Sequence, residues 1–134
     1  MDSRYKYFVN LYFNLYGIFL LYCLILGRKI YKTSYPIPKS GATVSQIRDV
    51  VMCRGGFEAD WHRFYLGTSK ENVEKAGLSD AEYQFSLDDG RNMFQLLGSL
   101  EVNTSYFWRV DAQNMMGHVY KGDVWEFVTS GTGS

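Results

Sequence analysis

The chain is poor in the residues that build the commonest chemical sites. Its 134 residues include two cysteines, two histidines and two prolines. Cys23 lies in an apolar stretch and Cys53 in a strand-like one, so they are not expected to form a disulfide. Neither belongs to a metal-spaced pair, and two unpaired buried thiols are the simpler reading. A zinc site or a Ser-His-Asp site would need His62 and His118 brought together with partners, and no spacing suggests it. No glycine-rich phosphate loop or nucleophile elbow is present. Asp88-Asp89-Gly90 lacks the alternating acids and terminal Glu of a calcium loop, so turn chemistry accounts for it better. No catalytic residue, cofactor or metal is therefore expected. Nor is there a charge excess: Lys plus Arg number 14 and Asp plus Glu number 14. That excludes a generally basic nucleic-acid binder and an acidic disordered tail. With so few prolines there is no Pro-rich stalk.

Aromatics are plentiful, at 17% with 11 Tyr and 9 Phe. The balanced charge also hides a split. Residues 1–38 carry five basic side chains and one acid, while residues 39–134 carry nine basic and thirteen acidic ones. Such asymmetry marks two environments.

The first environment is apolar. Phe8 to Gly27 is a run of twenty residues without charge, long enough as a helix to span about 30 Å of hydrocarbon. Tyr5, Tyr7, Tyr12, Tyr31 and Tyr35 suit the interfacial belts around such a span. Three readings compete. A cleaved signal peptide would need a small-x-small site after Leu26, where Gly-Arg-Lys-Ile-Tyr stands instead. A buried core helix would need a larger protein around it. An uncleaved signal anchor is favoured, making the protein single-pass, with secretion as the alternative. Arg28, Lys29 and Lys32 after the span draw the C-terminal side toward the cytoplasm. Thr33 to Gly41, with Pro36 and Pro38, reads as an extended spacer. The organisation is thus residues 1–35 as hydrophobic segment and spacer, 36–130 as a folded module, and 131–134 as a linker stub.

The module is strand-like: short runs of Val, Ile, Tyr, Phe and Trp are broken by Gly, Asn and Asp every eight to twelve residues, the pattern of a β-sandwich. Strands are expected at Ala42–Ile47, Asp49–Arg54, Trp61–Gly67, Tyr83–Leu87, Asn92–Leu97, Thr104–Asn114 and Val124–Thr129. A helical turn capped by Ser69 is expected after the third, and a hairpin turn at Asp88-Asp89-Gly90. Alternation puts Tyr106, Trp108, Val110 and Ala112 on one face and Phe107, Arg109 and Asp111 on the other. Trp125 and Phe127 share a face of the last strand. Those aromatics, with Leu100, form the candidate core.

Leu100-Glu-Val-Asn-Thr104-Ser-Tyr106-Phe-Trp108-Arg-Val110-Asp-Ala112-Gln-Asn114 resembles the fibronectin type III pattern leading into the penultimate strand. Gly122-Asp-Val-Trp125-Glu-Phe127-Val-Thr129 is similar to that family's last strand. His62-Arg-Phe-Tyr-Leu-Gly67-Thr-Ser69 is similar to the third strand in a subgroup often appended to large secreted bacterial enzymes, and Pro38-Lys-Ser-Gly41-Ala42 matches the opening. The resemblance covers roughly residues 36–130. It implies an all-β, seven-stranded antiparallel immunoglobulin-like sandwich, preceded here by one hydrophobic N-terminal helix. It implies that Tyr106 is a tyrosine corner with Leu100 beneath it, and that His62 is a packed core residue. Val102 stands where the family has Pro, and Cys53 where it has a core Trp. Asn103-Thr104-Ser105 is a possible glycosylation sequon, though it coincides with the family's own Thr-x-Tyr motif.

The resemblance implies a non-catalytic module, tethered at residues 8–27 or exported, for protein or carbohydrate interaction or adhesion. Its character outweighs the flanking charges and places the sandwich outside the cytoplasm. The alternative is a truncated accessory domain of a larger secreted hydrolase. No nucleic-acid partner is expected.

Overall fold

The structure, a computed structural model, describes residues 29–131. The expected span at 8–27, Cys23, and all of the 131–134 stub except Gly131 lie outside the described residues. Among the described residues no helix is long and apolar enough to cross a membrane.

The molecule is a β-sandwich. Its strands are β1 (Ser34–Ile37), β2 (Ala42–Ser45), β3 (Val50–Arg54), β4 (Ala59–Gly67), β5 (Tyr83–Leu87), β6 (Met93–Gln95), β7 (Ser105–Asn114), β8 (Val119–Tyr120) and β9 (Trp125–Ser130). One short helix, α1 (Lys70–Lys75), follows β4. A three-stranded sheet in the order β1-β3-β6 faces a larger sheet in the order β2-β9-β7-β4-β5, with β8 paired to β7.

Several expectations are corrected. The described residues form nine strands, not seven, because Val119–Tyr120 adds a short strand and the entry to the sandwich is split in two. Pairing is not antiparallel throughout: β2 runs parallel to β9. The segment read as a spacer contains β1, which pairs with β3 from Ser34↔Arg54 to Ile37↔Met52, ahead of the boundary drawn at residue 36. Pro36 and Pro38 are compatible with this because β1 is an edge strand, where missing N–H donors are tolerated. Asp88-Asp89-Gly90 makes its turn, with positive φ at Asp89 and Gly90, but joins no hairpin. β5 and β6, on either side of it, belong to opposite sheets.

The expected core is assembled between the sheets. Val51 and Cys53 from β3, Phe64 from β4, Phe94 from β6, Tyr106, Trp108 and Val110 from β7, and Trp125 and Phe127 from β9 form one buried cluster, with Leu100 packed at its margin. Phe64 stacks on Phe94 with ring centroids 5.1 Å apart, and Trp108 meets Trp125 edge-on at 4.8 Å. Both geometries suit aromatic quadrupoles. Cys53 lies within this aromatic cluster, and burial pushes its thiol up to about 12. That keeps the thiol protonated and unreactive in the folded state.

The connection before β7 is held by two core side chains. Tyr106 Oη accepts the Glu101 N–H at 2.7 Å, and Thr129 Oγ1 donates to the Glu101 carbonyl while accepting the Thr104 N–H at 3.0 Å. Val102 is exposed within this segment, which these bonds hold from both sides.

The outer face of β7 is also covered. Arg109 is 2% exposed and Asp111 4%. Arg109 Nε and Nη2 donate to the two carboxylate oxygens of Asp111 at 2.8 and 3.0 Å. The remaining guanidinium N–H groups reach the carbonyls of Val73, Glu74 (2.9 Å) and Ala76 (2.8 Å) at the end of α1. The guanidinium also lies 4.1 Å from the ring centroid of Tyr65. Asp111 Oδ1 accepts the Gly122 N–H at 2.9 Å. A Cβ on Gly122 would fall 2.1 Å from the Val110 carbonyl, so only glycine lets the chain come this close.

Two outcomes are expected in urea unfolding. Arg109→Met should cost about 3–5 kcal/mol, since it strands a buried carboxylate and three carbonyls. A loss below about 1 kcal/mol, the range of a surface pair, would show that the pair is not sealed from water. Tyr106→Phe should cost about 1–3 kcal/mol by orphaning the Glu101 N–H. An unchanged midpoint would remove Tyr106 from the corner role.

Candidate functional site

His62 sits on the inward side of β4 and is 1% exposed. Both ring nitrogens are used by the backbone: Nδ1 lies 2.9 Å from the Arg91 carbonyl and Nε2 accepts the Gly56 N–H at 3.3 Å. An imidazole that donates from Nδ1 and accepts at Nε2 is neutral. Burial pushes His62 below its usual 6.5, and only the Arg91 carbonyl bond works the other way. The ring is thus a structural bridge between the β3–β4 and β5–β6 connections, with no free nitrogen for a metal or a proton-transfer step. His118 stands exposed on the turn between β7 and β8, so the two histidines share no site. Asp88 is paired with Arg91. Among the described residues no group of three or more His, Cys, Asp or Glu could hold a metal ion. Asn103 is exposed in the turn before β7, with φ of 49°.

The surface that gathers unusual side chains is one end of the sandwich. There the leading segment 29–33, the β3–β4 connection and the β7–β8 turn meet. Phe57 N–H donates to the Ile30 carbonyl at 2.8 Å, and Thr33 Oγ1 donates to the Val110 carbonyl at 2.7 Å. These bonds bind the leading segment to the domain. Tyr31 stacks on Tyr120 with centroids 5.1 Å apart and takes the edge of Phe57 at 5.7 Å. Lys29 Nζ stands 4.9 Å above the Phe57 ring. A cleft of about 490 Å³ opens beside this stack, lined by Lys29, Ile30, Tyr31, Lys32, Tyr120 and Lys121. A Cβ on Gly56 would fall 2.1 Å from the Tyr31 carbonyl, so the Gly55-Gly56 pair permits the close approach of segment and connection.

Of the residues singled out in the sequence, Tyr106, Trp108, Val110, Trp125, Phe127 and Leu100 come together in the core, and none lies at this end. Tyr31 was assigned only to an interfacial belt; its stacking on Tyr120 brings together residues far apart in the chain. Lys29 figured in the sequence only as a charge flanking the apolar run, and Phe57 and Lys121 carry no signal there because isolated surface residues show no periodicity.

What is defined is a two-sheet β-sandwich domain with one aromatic and basic end. No family model matches the chain, and no curated protein matches it significantly. The fold is similar to part of an α-L-rhamnosidase from Dictyoglumus thermophilum, with a TM-score of 0.59 and 14% identity over 76% of this chain. It is also similar to part of a Streptomyces avermitilis α-L-rhamnosidase solved with L-rhamnose, with a TM-score of 0.55 and 11% identity over 74% of this chain. The match covers 13% and 10% of those two chains. Domains of this fold therefore occur within glycoside hydrolases.

The geometry of His62 has a consequence for stability. Its folded-state pKa lies below the unfolded value, so below about pH 6.5 the unfolded chain binds a proton that the folded ring refuses. Stability from His62 is full above that pH and is withdrawn as the pH falls toward 5. The slope is at most about 1.4 kcal/mol per pH unit. His62→Asn should flatten the dependence of the urea midpoint between pH 7 and 5. Parallel curves for the two proteins would contradict a neutral, buried His62.

Proposed function

We propose that this chain carries a non-catalytic, fibronectin type III-like module that serves as an accessory domain of a larger secreted hydrolase. The observation that carries the reading is the recurrence of the fold as a small part of two large glycoside hydrolases. The strand order supports the finer assignment. Counting β1 and β2 as halves of one edge strand, and β8 as an elaboration of the β7–β9 connection, leaves seven strands in an immunoglobulin-like order. The described residues best suited to chemistry are tied into structure: His62 by two backbone groups, Arg109 and Asp111 by each other and by α1. In this reading carbohydrate is the substrate class of the partner domain.

A second reading is a membrane-tethered interaction module with its sandwich outside the cytoplasm. The uncharged run from Phe8 to Gly27 favours it.

An antibody against the sandwich separates the two in the source cells. The accessory reading expects a cross-reacting protein of several hundred residues, with an open reading frame running past the Ser134 codon into a hydrolase domain. A membrane-bound product of 134 residues would overturn it in favour of the tethered module.

A further inference from the structure

The aromatic and basic end of the sandwich has a composition that neither the core nor a solvated loop explains. Met115 and Met116, on the β7–β8 turn, are 86% and 84% exposed. Tyr31, Phe57, Trp61 and Val119 are exposed as well. Lys29, Lys32 and Lys121 line the cleft at the same end. Several exposed apolar side chains beside basic ones at one end of a domain suit an interaction site.

Chain continuity says what the occupant is. The uncharged run ends at Gly27, and Lys29 follows two residues later. Two residues span at most about 7 Å, and four, to Tyr31, about 14 Å. The headgroup layer outside the hydrocarbon core is about 5–8 Å deep on each side. We infer that the end bearing Lys29, Tyr31, Phe57, Met115, Met116 and Lys121 seats the sandwich on an anionic lipid surface. This rests on the second reading, in which residues 8–27 are a membrane segment, and not on the accessory-domain reading.

The chemistry suits that surface. Tyr and Phe rings prefer the boundary between headgroups and acyl chains, where apolar bodies are buried and polar tips stay wet. The unbranched, flexible Met115 and Met116 side chains can enter the same layer with no polar group to desolvate. Lys32 pairs with Asp123 at 2.9 Å and Lys121 with Glu74 at 3.5 Å, but each of these side chains is about half exposed. Such pairs are worth no more than about 1 kcal/mol and can yield to lipid phosphates. Glu58, in the β3–β4 connection, opposes them. A sugar site fits less well. Tyr31 has one face on Tyr120, Phe57 has one face under Lys29, and the cleft lining offers no amide or carboxylate for sugar hydroxyls.

The test uses the full chain reconstituted into vesicles of phosphatidylcholine, with or without phosphatidylglycerol. Met116→Cys is labelled with the environment-sensitive fluorophore NBD in a Cys23→Ser background; Cys53 is buried and does not compete. In anionic vesicles the emission should shift to the blue and be quenched by headgroup-proximal spin-labelled lipid. Lys29→Glu with Lys121→Glu should weaken this docking roughly tenfold or more, as expected for two charges at an anionic surface, while flotation with the vesicles is unchanged. Met115→Ser, at an exposed position outside the core, should weaken it independently. A chain that floats while its label stays water-like overturns the seat and leaves the tether standing. A chain that does not float overturns the tether and the seat with it. A blue shift given only by a soluble acidic polysaccharide would make this end a sugar site instead.

Discussion

The rest of the fold is arranged around a buried ion pair on the outer face of β7. Taking Arg109 and Asp111 out of water costs several kcal/mol per ion, and their mutual attraction repays this only when the remaining donors and acceptors are also satisfied. Here all of them are. The guanidinium's five N–H groups go to Asp111 and to three carbonyls at the end of α1, and the carboxylate also takes the Gly122 N–H. The six-residue helix is too short to be stable by itself, so its position depends on these bonds and on Val73 packed beside Tyr65. Its start is fixed locally, by Ser69 Oγ accepting the Asn72 N–H.

The same pair reaches toward the aromatic end. Gly122, held against Asp111, follows directly on Tyr120 and Lys121, so the bond that satisfies a buried carboxylate also orients the ring on which Tyr31 stacks. Thr33, bonded to the Val110 carbonyl, anchors the leading segment from the other direction. The aromatic stack thus rests on the rigid part of the domain, through Tyr120 on β8, although Tyr31 and Phe57 come from loops. Rigid support under a loop-built surface is what a binding or docking face requires.

On the inner face the constraint is volume rather than charge. Two sheets must share one apolar layer, and the aromatic pairs Phe64–Phe94, Trp108–Trp125 and Tyr106–Phe127 fill it. His62 lies at the rim of this layer, edge-on to Phe94, as a neutral bridge between two connections. Among the described residues, the one fully desolvated ion pair lies on the outside of β7, and the layer between the sheets is largely apolar.

Much of this architecture was legible in the residues. Period-two alternation put Tyr106, Trp108 and Val110 on one face and Trp125 and Phe127 on another, and both faces point into the core. The Ser69 cap and the limits of Tyr83–Leu87 carried fainter signals that the structure bears out, because caps and strand periodicity are local properties. Alternation also put Arg109 and Asp111 on a common face, yet could not show that α1 and Gly122 cover it. Burial of a face depends on what packs over it from elsewhere in the chain. The spacer reading of Thr33–Gly41 failed for the same reason: Pro36 and Pro38 dictate an extended backbone, but only β3 turns an extended segment into a sheet strand. Asp88-Asp89-Gly90 fixed a turn, while the sheet each flanking strand joins was settled by long-range pairing. The aromatic end was invisible for the most basic reason: Tyr31, Phe57 and Tyr120 are separated along the chain, and only the closed sandwich brings their rings together.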